Sequence, residues 1–159
     1  MKKLIIYISL LLFIFLSLLA CGSSGEHNNA PDPVPAGAVQ KFLTMIISLH
    51  SDGTQGDDNS SAPVISSDGA FIAFESTATN LIDNDLNGLR DIFVHNRNTG
   101  VTERVSVDSN GFEANDRSLS PSISISDDGS YAVFESDATN LVTDDLNGLR
   151  DIFLRDRNP

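Results

Sequence analysis

The chain has 159 residues, 40% of them hydrophobic, with 22 acidic and 10 basic side chains and a formal charge of −12. That length allows one domain with a core, and so acidic a surface repels phosphate backbones and anionic headgroups, which argues against nucleic-acid binding. The single cysteine excludes a disulfide within the chain.

Lys2 and Lys3 open the chain and are followed by LIIYISLLLFIFLSLLA, 17 residues without a charge, and then by Cys21. A spanning helix needs about 20 apolar residues, so residues 1–20 read as a signal helix, with an uncleaved membrane anchor as the alternative. LLAC at 18–21 resembles the lipobox of bacterial lipoproteins. The resemblance implies cleavage before Cys21, a lipid on its thiol and export of everything downstream. Two or more acyl chains on that cysteine would hold the protein stably on a bilayer. By analogy with lipoprotein sorting, Gly22 rather than Asp after the cysteine favours the outer membrane. Loss of Lys2 and Lys3 takes the formal charge from −12 to −14; solubility explains this first, and cation binding second.

Residues 21–40, including GSSGEHNNAPDPVPAG, are rich in Gly, Ser, Asn and Pro and form a flexible tether. The remainder, 41–159, is a duplicated module. Shifting the chain by 60 superposes 68–98 on 128–158 with 20 identities in 31 positions. Upstream the shift becomes 58, so a two-residue insertion lies in SISISDDG. The repeats cover about 54–111 and 112–159, and an extra copy of the outer strand is expected at 43–49.

Each module reads as strands. FIAFES (71–76) and YAVFES (131–136) are apolar runs expected to be covered on both faces, each preceded by an Asp-Gly two-residue hairpin turn. DIFVHN and DIFLRD supply the next strand. TERVSVD (102–108) alternates, with Val105 and Val107 on one face and Arg104, Ser106 and Asp108 on a solvated one, as in an outer strand. Four short antiparallel strands at a fixed period make an all-β fold of two four-stranded β-propeller blades. PVISSDGAFIAFES and PSISISDDGSYAVFES resemble the Pro…Ser-x-Asp-Gly…Phe-x-Ser repeat of TolB-like propellers, relatives of the WD-repeat proteins. The resemblance implies a partial TolB-like propeller, from a group whose blades serve as docking platforms or gate peptidases.

DLNGLRDIF occurs at 85–93 and again at 145–153. Asp83, Asp85, Asn87, Gly88, Leu89 and Asp91 match positions 1, 3, 5, 6, 7 and 9 of a calcium loop, whose hard-oxygen ligands converge through a glycine turn. Position 12 is Val94 rather than Glu, and position 1 of the second copy is Thr143, which excludes an EF-hand. Asp145, Asn147 and Asp151 complete the second candidate set. The competing reading is structural: Asn-Gly makes the turn and the aspartates cap its N–H groups.

Elsewhere the chain offers little chemistry. Glu75 and Glu135 each end an apolar strand beside a serine, where a structural hydrogen bond outweighs acid–base work. His27, His50 and His95 form no set and are expected at the surface. No nucleophile elbow, H-E-x-x-H or phosphate loop occurs. The sequence therefore reads as a non-catalytic, lipid-anchored binding or scaffolding module on the exported side of a bacterial envelope. Its alternatives are a calcium-stabilised adhesion module and a fragment of an enzyme whose catalytic domain is absent. Propellers typically have four to eight blades, so two would not close a ring. A protein partner, self-association or a truncated product is expected.

Overall fold

A computed structural model describes residues 43–158; the signal segment 1–20, Cys21, the tether and His27 lie outside the described residues. Every regular element among those described is a strand. The first repeat supplies β1 (Ser60–Ile65), β2 (Phe71–Ser76), β3 (Asp91–Asn96) and β4 (Thr102–Arg104), and the second supplies β5 (Ser118–Ile125), β6 (Tyr131–Ser136) and β7 (Asp151–Asp156). They form two antiparallel sheets, β1-β2-β3-β4 and β5-β6-β7, each strand beside its neighbour in sequence. The expected second sheet of four strands thus has three among the described residues.

The duplication is carried into the register. Phe71 faces Asn96 and Tyr131 faces Asp156, so the β2–β3 and β6–β7 ladders match at an offset of 60. Ser60 faces Ser76 and Ser118 faces Ser136, an offset of 58 on the first strand, while Val64–Ala73 and Ser124–Val133 have returned to 60. The two-residue insertion is therefore absorbed within the irregular stretch between Leu119 and Ser124. Its counterpart in β1 is also a register shift, with Ala62 at a φ of 50°.

The hairpin turns are longer than the two residues expected from Asp-Gly. The Ser66 N–H donates to the Phe71 carbonyl at 2.9 Å, and the Ser66 hydroxyl accepts from the Phe71 N–H and donates to Asp68. Ser126, Asp128 and Tyr131 repeat this arrangement. The serine and aspartate side chains close the wider loop, and Gly69 and Gly129 take the positive φ it requires.

Strand alternation sends successive side chains to opposite faces, and the sheets stack with unlike faces together. Ala73 of β2 with Ile92 and Val94 of β3 join Ile123 of β5 and Ala132 and Phe134 of β6 in one cluster, closed by Val105, Ala114, Ala138 and Leu141. The other face of the first sheet carries Ile72, Phe74 and Phe93, covered by Ala78, Leu81, Ile47 and Ile82. Phe74 stacks on Phe93 at 5.9 Å, and Phe134 on Phe153 at 6.0 Å. Each fully buried Ile or Phe in these clusters contributes about 1.5–3 kcal/mol over exposure.

Three local expectations are corrected. YAVFES is covered on one face only, because nothing described packs over Tyr131, whereas Ile72–Ser76 of β2 is buried throughout. Residues 43–48 form no strand; Leu49 makes an isolated bridge to Gln55, as Val107 does to Glu113 at the 58 offset. Finally, the face of 102–108 expected to be solvated is closed at two of its three residues: the Arg104 side chain is 6% exposed and Ser106 is fully buried, while Asp108 remains partly exposed. Arg104 and Ser106 are held inside by the carboxylate of Asp91.

Candidate functional site

The repeated loop builds the same Asx turn twice. The Leu89 N–H donates to Asn87 Oδ1 at 2.7 Å while Asn87 Nδ2 donates to Asp91 Oδ2 at 3.0 Å, and Gly88 has a φ of 59°. In the second copy, Leu149 donates to Asn147 at 2.6 Å, Asn147 to Asp151 at 3.0 Å, and Gly148 has a φ of 63°. Asparagine, glycine and the second aspartate therefore act as turn-makers.

What surrounds the two loops differs. In the first, Asp85 and Asp91 converge on Arg104, whose Nη1 lies 3.3 Å from Asp85 Oδ1 and 3.1 Å from Asp91 Oδ2, and whose Nη2 lies 2.5 Å from Glu113 Oε1. Asp91 also accepts the Ser106 hydroxyl at 2.6 Å, and Glu113 accepts the Leu86 N–H at 2.9 Å. The guanidinium stands where the carboxylates of a calcium loop would hold the ion. Asp83, the first residue of that candidate set, is turned away and exposed, 3.8 Å from His50 Nε2.

Three carboxylates around one guanidinium leave an acidic excess, and the protonation equilibria reflect it. Burial pushes the Asp85 carboxyl up from its ordinary value, opposed by the Arg104 charge and reinforced by Asp91 and Glu113. Its Oδ1 is buried without a hydrogen bond, since the approach of Arg104 is an ion pair without the geometry of one. Burial also works against the Arg104 charge, but the Glu113 hydrogen bond and the three carboxylates outweigh it and hold its pKa up. Glu113 is pushed up by burial yet ends below its usual value, through the Leu86 N–H and Arg104.

The second loop has no arginine at this place among the described residues. Asp145 Oδ2 is buried without a hydrogen-bond partner, and Asp151 accepts from Asn147. Among the described residues no group of three or more His, Cys, Asp or Glu side chains is arranged to hold a metal ion.

Glu75 and Glu135 occupy corresponding structural positions. Glu75 accepts from Ser61 at 2.7 Å and from Arg90 at 3.3 Å, and Glu135 accepts from Ser122 at 3.0 Å with Arg150 4.0 Å away. His95 corrects its expected surface position, being buried against Thr102 with Nδ1 2.8 Å from the hydroxyl. Thr102 donates its one hydroxyl proton to the Leu49 carbonyl at 2.5 Å, so His95 Nδ1 carries the proton shared with Thr102. Burial pushes the His95 pKa down. His50 is partly buried, 2.9 Å from Asp52.

Sequence reasoning missed Arg104 and Glu113, which lie 19 and 28 positions beyond Asp85 and reach it only through strand pairing. The one signal was an arginine in an alternating strand of a chain with few basic residues.

The loop apices present a different surface. Leu86 is 83% exposed and Leu146 92%. Leu86 borders an open cleft of about 710 Å³ that also takes in Ile82, Val107 and the exposed Phe112. No protein family, curated protein or solved structure matches the chain.

Proposed function

We propose that the chain is a lipid-anchored, exported binding or scaffolding module whose two sheets are consecutive β-propeller blades of the TolB-like type. The observation that carries the binding reading is the pair Leu86 and Leu146, exposed at the same apex position of both repeats. Asn, Gly and Asp fix each turn, so neither leucine is needed to fold it. Apolar side chains set on rigid loops, beside a cleft carrying Phe112, suit docking of a protein surface rather than turnover of a small molecule. The stacking of unlike sheet faces supports the blade reading, and LLAC at 18–21 supports the anchor.

A photo-crosslinking residue at 86 or 146 in living cells is expected to capture a discrete envelope protein. Leu86→Asp with Leu146→Asp should abolish capture by a crosslinker at 112 without lowering the melting temperature. Unchanged capture by that variant would sink the reading. For the anchor, fatty-acid labelling should be lost in Cys21→Ala, and equal labelling of both forms would remove it.

A second reading, calcium stabilisation through the second loop, is favoured by the unpaired Asp145 Oδ2 beside Asp151. Two carboxylates fall short of a full shell, so Asn147, backbone carbonyls and water would supply the rest.

A further inference from the structure

The cleft bordered by Leu86 is built before anything enters it. The Asp108 carboxylate accepts the Asn110 and Phe112 N–H groups, each at 2.8 Å, and Gly111 takes a φ of 85°, which fixes the turn carrying Phe112. Glu113 ties that turn to the first loop through the Leu86 N–H at 2.9 Å. Phe112 is 68% exposed, since the turn uses its backbone and leaves its ring outside. Among the described residues the whole lining comes from 82–113. The second repeat packs on the first sheet without reaching the cleft, so the stacking of one repeat on the next leaves it open.

Its charge is one-sided. Asp83, Glu103 and Glu113 line it, with Arg104 as the one cation of the lining. Arg104 is already shared with Asp85 and Asp91, 3.3 and 3.1 Å away, and Glu103 is paired with Arg157. Five carboxylates thus stand against two guanidiniums. Asp83 is 92% exposed, and its ion-pair contact is His50 Nε2 at 3.8 Å, beyond hydrogen-bond reach.

An apolar wall and an acidic excess together select an occupant. An acidic segment is repelled, and the formal charge of −12 argues against a second copy of this chain. A purely apolar segment would strip water from Asp83 and Glu113 without giving them a cation. A small free cation would leave Leu86 and Phe112 in water. A lysine or arginine side chain meets both demands, because its aliphatic stem covers apolar surface while its head pairs with carboxylates and is attracted to an aromatic face.

We propose that the cleft takes a lysine or arginine side chain of the docked protein, its stem against Leu86 and Phe112 and its head toward Asp83 and Glu113. This rests on the docking reading of the loop leucines and adds to it the chemistry of the partner.

The full-length chain in living cells, carrying a benzophenone crosslinker at 112 that keeps an aromatic ring there, tests this. Mass spectrometry of the crosslinked peptides should place the attachment beside a lysine or arginine of the captured protein. Asp83→Lys, at an exposed side chain, should leave the melting temperature unchanged and lower capture roughly tenfold or more through like-charge contact. Asp127→Lys, at an exposed carboxylate of the second repeat, should lower neither. Replacing the partner's basic residue with Glu should restore capture by Asp83→Lys. Attachment beside acidic or apolar residues alone, a second copy as the captured chain, undiminished capture by folded Asp83→Lys, equal loss in Asp127→Lys, or failure of the exchange to restore capture would each overturn the proposal. All five leave capture by the native chain standing, and with it the docking reading. Absence of any capture would overturn both.

Discussion

Arg157 of the second repeat lies over the ring of Phe71 in the first, 5.1 Å from its centroid, while its Nε donates to Glu103 at 2.6 Å. The same guanidinium bonds the Gly129 carbonyl, which brings the β5–β6 turn against the same ring. One side chain thus ties the last strand of the second sheet to two strands of the first.

Gly129 and Gly69 hold the same place in their repeats but not the same surroundings. A Cβ at Gly129 would lie 2.5 Å from the Phe71 ring, whereas at Gly69 it would meet the tip of Arg97 at 3.2 Å. Both have positive φ, near 70°, which costs an alanine about 1–2 kcal/mol. Gly129→Ala should cost a further 1–3 kcal/mol, roughly, for overpacking. Denaturant unfolding of the two variants measures the difference; equal costs would mean that the sheets do not meet at Phe71.

Arg104→Met should be among the most damaging single changes in the described residues. It strands Asp91 and Asp85 without their cation, a loss of about 3–5 kcal/mol at neutral pH. The Asp85 carboxyl is already pushed up by burial, so its charged form disfavours folding, and its contribution to stability improves as pH falls toward its folded pKa. Asp85→Asn should therefore be neutral or mildly stabilising in the native chain and should recover part of the loss in Arg104→Met. A double-mutant cycle checks the sign.

The buried His95 makes stability sensitive to mild acid. Its folded pKa lies below the ordinary value of 6.5, so the unfolded chain takes up the proton first. Stability should be level above about pH 7 and fall as pH drops through 6.5 toward the folded pKa. His95→Gln should flatten that decline between pH 7 and 5.5 in thermal melts. Asp52 and Asp128, held at about 2 chiefly by hydrogen bonds with Thr54 and Ser130, contribute stability that survives until much lower pH.

Calcium should act, where it acts at all, through the second loop. Arg104 fills the centre of the first, whereas Asp145 and Asp151 have no cation partner among the described residues. Calcium at 100 times its dissociation constant would add about 2.7 kcal/mol. The resulting rise in melting temperature should vanish in Asp145→Ala and persist in Asp85→Ala. A native chain that melts alike in calcium and in chelator would leave both loops as turns.

Whatever depends on near neighbours and on repetition was legible in the letters alone. The 60-residue shift of 68–98 onto 128–158 reappears in the ladders, and DLNGLRDIF folds as a turn because Asn87 and Gly88 act within four residues of Asp91. The insertion in SISISDDG was equally legible, since a change of offset is written in the letters. What two nearly identical segments do was settled by the surfaces that meet them in the fold. Ile92 and Ile152 share a letter and a register, yet one is covered and the other is open, because burial belongs to whichever sheet lies opposite. Arg104 in the alternating stretch looks solvent-facing until β3 brings Asp91 beneath it, and His95 looks exposed until Thr102 and the Leu49 carbonyl close over it. Pairing between distant segments fixes such surroundings, and a periodic pattern records which side a residue faces without recording what waits there.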